Sequence, residues 1–272
     1  MVACSRRAIE SQSIAQPNHG CSVRPDHMLW IVAVAALVAG LLIGLTGIGG
    51  VLVVPALTDA GGVPLERAVA ASMFGFLATG LVGGLVHLRR TPLRSRELLS
   101  LCLPAALGAL AGAAMLDILP AFAIRLFIAA LALVSGVQAL ATVHARGTAP
   151  RSAAVLASVG FAVGWGSAVS GTGGPVMLIP LLLVLRTPIV PTIAFAQAIQ
   201  IPIAVAATIV NAAAGQLDWR LGLAVGTLLV CGTITGAWLA GRLAARPLTL
   251  SVALALIAFG LWYGYATVRV FG

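Results

Sequence analysis

The 272-residue chain contains no lysine, and its 16 basic residues are all arginine. Without lysine there is no nucleotide-binding loop of the Walker type and no Schiff-base chemistry on a lysine amine. Acidic residues are also scarce, seven in all, and none lies well inside an apolar run. This scarcity argues against a proton relay through a buried acid and against a cation substrate that needs a counter-charge.

Cysteine and metal-ligand patterns are equally sparse. The four cysteines, Cys4, Cys21, Cys102 and Cys231, form no C-x-x-C pair, and we interpret them as small apolar residues. No cluster of histidine, cysteine and carboxylate residues has the spacing of a metal site, and there is no G-x-S-x-G nucleophile motif. The sequence therefore predicts a protein that is not an enzyme and that uses no metal and no cofactor.

Most of the sequence is apolar. Hydrophobic residues make up 60% of it and charged residues 8%, and its mean hydropathy is +1.09. A spanning helix needs about 20 apolar residues, which leaves room for roughly eight to ten segments. The runs are continuously apolar rather than alternating, which favours helices over a barrel. We therefore predict an all-α polytopic membrane protein in a lipid bilayer. We interpret the net charge of +9 as loop arginines that set topology, and not as a nucleic-acid surface.

Ten apolar runs can be marked between turn and charge signals. They cover roughly residues 28–46, 50–58, 66–88, 96–117, 121–143, 152–170, 174–186, 190–213, 219–241 and 248–268. Residues 1–27 are polar, lack the apolar centre of a signal peptide, and are predicted to be a disordered tail. The second and seventh runs are too short for straight spans, and each follows a cluster of glycines.

The two halves of the sequence also resemble each other. A shift of 124 residues lays Gly47, Gly49 and Gly50 on Gly171, Gly173 and Gly174, and it lays Thr46 on Ser170. The same register pairs further positions over the following part of the chain without gaps. This predicts two duplicated transmembrane halves, residues 28–146 and 147–272, each with a glycine-broken helix. Internal duplication of this kind is common in transporters.

The number of segments in each half decides how the halves are oriented. Five segments per half would turn the second half upside down relative to the first. One face would then receive Arg89, Arg90, Arg94, Arg96, Arg146, Arg151, Arg186, Arg242 and Arg246, and would be cytoplasmic. Four per half would leave the halves in the same orientation with both arginine-bearing tails inside. The loop arginines favour the inverted arrangement, which we predict, and the tails favour the other.

The glycine clusters predict a place where a solute is held. Irregular backbone at membrane depth is tolerated only where protein or a water-filled cavity covers it. A half-helix that starts after each cluster would aim free N–H groups and the positive end of its dipole at that cavity, and so make an anion site. The hydroxyls of Thr46, Ser170 and Thr172 add donors, and Pro175 suits the first helical turn. The alternative is close packing of helices through small residues.

Two amides complete the predicted site. Gln197 and Gln200 lie one turn apart on the eighth run, where they would either line the cavity or make an interhelical hydrogen bond. The candidate substrate-binding residues are therefore Thr46, Gly47, Gly49, Gly50, Ser170, Gly171, Thr172, Gly173, Gly174, Gln197 and Gln200.

The stretches GLLIGLTGIGGVLVVPAL and SAVSGTGGPVMLIPLLL resemble the paired glycine signatures of the sulfite exporter TauE/SafE family, also called the toluene sulfonate uptake permease family. The resemblance covers residues 30–268 and falls on the six glycines named above. Val51 and Pro175 stand where that family often has a further glycine.

The resemblance implies a multi-pass permease of the bacterial inner membrane that moves sulfur-containing or organic anions, such as sulfite and sulfonates, without an ATPase of its own. We therefore expect a secondary transporter with alternating access and a small anionic substrate. The alternatives are an anion channel and a non-transporting membrane subunit of a sulfur-metabolism complex. The sequence does not indicate the anion, the direction of flow or the oligomeric state.

Overall fold

The computed structural model describes residues 25–90, 93–141, 152–185, 187–240, 242 and 245–271, and in these ranges its regular structure is entirely helical. In chain order the elements are α1 (Pro25–Thr46), a 3₁₀ turn (Gly50–Leu52), α2 (Val53–Pro55), a π turn (Ala56–Ala60), α3 (Leu65–Arg90), α4 (Ser95–Ala114), α5 (Ala121–Ala141), α6 (Ala153–Ser170), α7 (Pro175–Val184), α8 (Ile189–Ala213), α9 (Trp219–Ala240) and α10 (Ala245–Phe271). We call residues 50–60 the first half-helix and α7 the second half-helix.

Seven of the described helices, α3 to α6 and α8 to α10, are long and apolar enough to span a membrane. The apolar part of α1 and the two half-helices are shorter. Large apolar side chains such as Trp30, Leu103 and Trp238 are exposed on the outside, on the surface that lipid would cover. The predicted all-α polytopic membrane protein is confirmed, and each predicted apolar run corresponds to one helix or half-helix. Of the predicted tail, residues 25–27 are helical and residues 1–24 lie outside the described residues, as do Arg146 and Arg151.

Helix boundaries repeat at the spacing of the glycine clusters. In the first half, α1 ends at Thr46, and α3, α4 and α5 begin at Leu65, Ser95 and Ala121. In the second half, α6 ends at Ser170, and α8, α9 and α10 begin at Ile189, Trp219 and Ala245. Each member of the second set lies 124 residues after its counterpart, the shift at which the glycines align. The local structure therefore follows the internal resemblance of the sequence.

The first half-helix folds back along α1. Gly49, before the half-helix, packs against the Ala39 carbonyl of α1, and Gly61, after it, packs against Val32 near the start of α1. The half-helix therefore runs antiparallel to α1 and returns the chain to the side on which α1 began. A hairpin of this kind counts as two segments, which gives the first half five.

Equivalent helices of the two halves run in opposite directions. Gly136 of α5 packs against Ala253 and Ile257 of α10, whereas Gly264, farther along α10, contacts Ala129, earlier in α5. Two halves in the same orientation would place these equivalent helices parallel. The geometry therefore supports the inverted arrangement over the eight-segment count. The duplication itself stays a prediction.

Glycines allow helices of one half to pack closely on helices of the other. A methyl group at Gly164 of α6 would overlap the Ala105 carbonyl oxygen of α4, and one at Gly40 of α1 would lie 2.5 Å from the Leu229 carbonyl oxygen of α9. Gly40 and Leu229 are the equivalents of Gly164 and Ala105, so the same close contact occurs twice. Small residues are what let membrane helices approach each other this closely.

We expect Gly164→Ala to destabilise the protein, because the new methyl group forces α4 and α6 apart. Overpacking of this kind costs about 1–3 kcal/mol. The matched control is Gly264→Ala, also inside a helix, where a methyl group would meet Ala129 at an ordinary 3.5 Å and gains roughly 0.5–1 kcal/mol from reduced chain entropy. Thermal unfolding in detergent measures both. Equal melting temperatures for the two variants would contradict the close contact.

Candidate functional site

Both glycine clusters interrupt their helices in the same way. We call residues 47–50 the first break and residues 171–174 the second break; Gly50 is also the first residue of the first half-helix. Gly47 follows the end of α1 with φ +77°, and Gly171 follows the end of α6 with φ +67°. Their N–H groups donate to the carbonyls of Ile43 at 2.8 Å and Ser167 at 2.9 Å. This left-handed helix end favours glycine, which has no Cβ to clash, so the predicted broken helices are confirmed.

After these residues the two breaks differ. In the second break Gly173 and Gly174 also have positive φ, +80° and +102°, and Pro175 occupies the first position of α7, as predicted. In the first break Gly49 is extended, with φ −162°, and the half-helix begins as a 3₁₀ turn. The N–H groups of Gly173 and Gly174 donate to no acceptor within the described part of the chain. They are free backbone donors at the start of a ten-residue helix.

The two breaks touch each other. A methyl group at Gly50 would lie 2.5 Å from the Thr172 carbonyl oxygen and 2.9 Å from the ring of Phe76. The same ring lies against Gly173, where a methyl group would meet it at 2.9 Å. Phe76 of α3 therefore packs against both breaks. The fold thus brings together residues that are more than a hundred positions apart in the chain.

Hydroxyl groups surround the second break. Ser170 Oγ donates to the Gly166 carbonyl at 2.7 Å and lies 2.9 Å from Thr172 Oγ1. Ser72 Oγ of α3 lies 3.1 Å from the Gly171 carbonyl oxygen. All three side chains are buried. These donors are satisfied within the protein in this conformation, so a bound solute would have to exchange with these partners. The Thr46 side chain lies outside the described residues.

Gln200 bridges the two halves at this point. Its Nε2 donates to the Phe76 carbonyl at 2.9 Å and lies 2.7 Å from Thr79 Oγ1. Phe76 and Gln200 are themselves equivalent positions, 124 residues apart. Of the two interpretations of this amide, the structure shows the interhelical hydrogen bond. Gln197, one turn away, packs against Gly83 of α3 and is buried.

The centre is uncharged and closed. Phe76, Ser170, Thr172 and Gln200 are each at most 2% exposed, whereas Gly47 of the first break is partly exposed. We call this closed arrangement the occluded state, because these four side chains would have to move before a solute could contact them. Among the described residues no group of histidine, cysteine and carboxylate side chains is placed to hold a metal.

Three residues of this centre are absent from the sequence-based site. Ser72 and Thr79 have a visible signal, because each is a hydroxyl inside an apolar run. Phe76 has none, since an aromatic residue in such a run is ordinary. Its importance follows only from the crossing of α3 and α8.

Two cavities lie elsewhere in the described structure. One of about 570 Å³ lies between α1, the first half-helix and α10, and Trp30, Phe259 and Trp262 are among its lining residues. The other, of about 340 Å³, lies between α3 and α9 and is lined by Phe74 and Leu223 among others. Their walls are almost wholly apolar, so neither offers a small anion the donors it needs.

A family model described as sulfite exporter TauE/SafE matches residues 31–263, a range that includes both breaks and both half-helices. No curated protein and no solved structure matches the chain.

Proposed function

The chain belongs to the sulfite exporter TauE/SafE family, and on that premise we propose that it is a secondary transporter of small sulfur-containing or organic anions, such as sulfite or sulfonates, across the bacterial inner membrane. The observation that carries the proposal is the meeting of two broken helices in the buried centre, with the Gly173 and Gly174 N–H groups uncommitted. Family membership and the apolar helices support a multi-pass permease; the anion is the proposed part.

The chemistry of the centre favours an anion over a cation. Uncommitted N–H groups at the start of a helix stabilise negative charge, because the helix dipole adds to their hydrogen bonds. The side-chain hydroxyls of Ser72, Ser170 and Thr172 lie beside them. A cation would want several carboxylate or carbonyl oxygens, and the described side chains at this centre are hydroxyls, an amide and an aromatic ring, with no carboxylate among them.

A site without a cationic side chain also suits turnover. Backbone and hydroxyl donors hold an anion less tightly than a buried arginine would, so release is not slowed by a strong ion pair. The anion has to be small, because the space between the breaks is filled by one phenylalanine ring in the occluded state. In our proposal the inverted halves open this space alternately to the two faces.

Counterflow in proteoliposomes tests the proposal. Purified protein is reconstituted with unlabelled sulfite, sulfate, an alkyl sulfonate or a carboxylate inside, and uptake of the same radiolabelled anion is followed against protein-free liposomes. We expect saturable exchange for at least one sulfur oxyanion or sulfonate. Flux that rises linearly with concentration would indicate a channel. The absence of flux for every anion of the panel would overturn the proposal and favour a non-transporting subunit.

A further inference from the structure

Helix α8 carries a polar stripe that continues beyond the proposed site. Its members are Gln197, Gln200, Thr208 and Asn211, each at most 8% exposed. At about 100° per residue, these positions fall within an arc of roughly 80° on one face of the helix. The stripe begins beside the breaks, where Gln200 contacts α3, and runs toward the C-terminal end of α8.

The last two members of the stripe have unused hydrogen-bonding capacity. Thr208 Oγ1 and both amide atoms of Asn211 are buried without a partner in the described structure. Thr208 is unusual in this respect, because Thr192 of the same helix bonds the carbonyl one turn back, as Thr267 does in α10. Buried polar groups in proteins are nearly always satisfied, by protein or by water. Orphan donors and acceptors on one face therefore point to water or a solute.

Gln216, in the turn after α8, follows the last residue of the stripe and lies near the protein surface. The Gln216 N–H donates to the Asn211 carbonyl at 2.9 Å, and its side chain Nε2 lies 2.5 Å from Asp117 Oδ1. Asp117 is exposed, whereas Gln216 Oε1 is buried and unpartnered. Polar side chains thus recur along α8 from the buried centre toward its C-terminal end, and Gln216 connects the turn after α8 to the exposed turn after α4.

We propose that Thr208 and Asn211 form a second polar station on the route of the transported anion, between the breaks and the surface at Asp117. The inference rests on the proposed function. The station offers the Asn211 amide and the Thr208 hydroxyl as donors to a small hydrated anion. It extends the proposed site from the centre of the protein to one of its ends.

The first experiment is independent of transport. Single cysteines are placed at 208 and 211 in a variant whose native cysteines are replaced by alanine, and a small anionic, membrane-impermeant methanethiosulfonate reagent is added. We expect Thr208→Cys and Asn211→Cys to be labelled. The control is Ile209→Cys, at nearly the same depth on the exposed outer face of α8, where lipid excludes the reagent. Labelling of residue 209 alone, or of none of the three, would overturn the route.

The second experiment measures transport and stability together. Thr208→Val keeps the shape of the side chain and removes the hydroxyl, and we expect it to raise KM about tenfold, the effect of losing one hydrogen bond, while the melting temperature stays equal or rises. The matched control is Thr192→Val, which removes a satisfied hydroxyl from the same helix and should leave KM unchanged. A Thr208→Val protein with wild-type KM would overturn the station.

Asn211→Asp distinguishes an anion station from a cation site. A carboxylate at this position repels an anion, so we expect Asn211→Asp to lower anion uptake more than Asn211→Leu does. Greater uptake by Asn211→Asp than by Asn211→Leu would overturn the anion assignment. If the wild-type protein moves no anion while residues 208 and 211 are still labelled, the proposed function fails, whereas access of water and small anions to Thr208 and Asn211 is supported.

Discussion

A Gly173→Leu variant is expected to insert into the membrane and to transport no anion. Gly173 has φ +80°, a conformation that costs a residue with a Cβ about 1–2 kcal/mol. A Cβ there would also lie 2.9 Å from the Phe76 ring, so a leucine side chain has to displace that ring or the second break itself. In the proposed mechanism this removes the space in which the free N–H groups hold the substrate. Uptake into proteoliposomes measures the loss.

Backbone strain alone must be separated from the loss of the site. Gly215, in the turn after α8, has φ +71° and nothing within 4 Å of where a Cβ would be. Gly215→Leu therefore has the same unfavourable backbone conformation without a clash, and we expect it to transport normally. Gly173→Ala should reduce uptake, and adding Phe76→Leu, which replaces the ring but keeps most of its volume, should relieve the contact and restore part of it. Normal transport by Gly173→Leu, or an equal loss in Gly215→Leu, would show that the second break is not the site.

The broken helices were predictable because the signal is local. Consecutive glycines followed by a proline disfavour a continuous helix at that point whatever the rest of the chain does, because glycine permits other backbone conformations and proline cannot continue the helix that precedes it. Gly171 and Pro175 adopt the predicted roles for this reason, and the ten apolar runs correspond to helices because length and composition fix them. The orientation of the halves was less determined, since the arginines of loops and tails gave opposing indications.

The contacts at the centre could not be predicted, because they depend on how helices cross. Gln200 had two possible roles in the sequence, and the choice between them rests on the distance from its amide to the Phe76 carbonyl. Phe76 carried no signal at all. Thr208 looked like any helical threonine until the structure left its hydroxyl without a partner.

The internal resemblance of the sequence predicts that the two breaks have equivalent structures, but their backbone conformations differ. Pro175 lacks an N–H and disfavours the helical conformation in the residue before it, and Gly174 accordingly has φ +102°. Its counterpart in the first half is followed by Val51, and there the half-helix begins as a 3₁₀ turn. The two half-helices also differ near their ends. Asp59 of the first half-helix forms an ion pair with Arg125 of α5 at 3.0 Å. The equivalent positions in the second half are Leu183 and Thr249, which cannot form an ion pair. The two breaks are therefore similar in sequence but differ in backbone geometry.

Phe76→Ala is expected to convert a gated carrier into a leak. The ring is 1% exposed and lies against both breaks, so its removal leaves a hollow in the centre of the protein. We expect anion flux that no longer saturates with concentration and a conductance measurable in planar bilayers. Phe76→Leu keeps most of the volume and should remain saturable. The truncation should also lower stability by about 3–5 kcal/mol, as for other buried phenylalanines.

The loss of stability caused by the cavity has to be distinguished from the opening of a path for anions. Phe195 of α8 is also buried, at 2% exposure, and Phe195→Ala should lower the melting temperature to a similar extent without producing a leak. A leak in both variants would mean that general loosening, and not the position of Phe76, lets anions through. Saturable, wild-type kinetics in Phe76→Ala would mean that another group closes the centre. If Phe76→Ala alone leaks, the ring is the barrier between the two faces, and the wild-type protein works as a carrier because that barrier must move once for each anion transported.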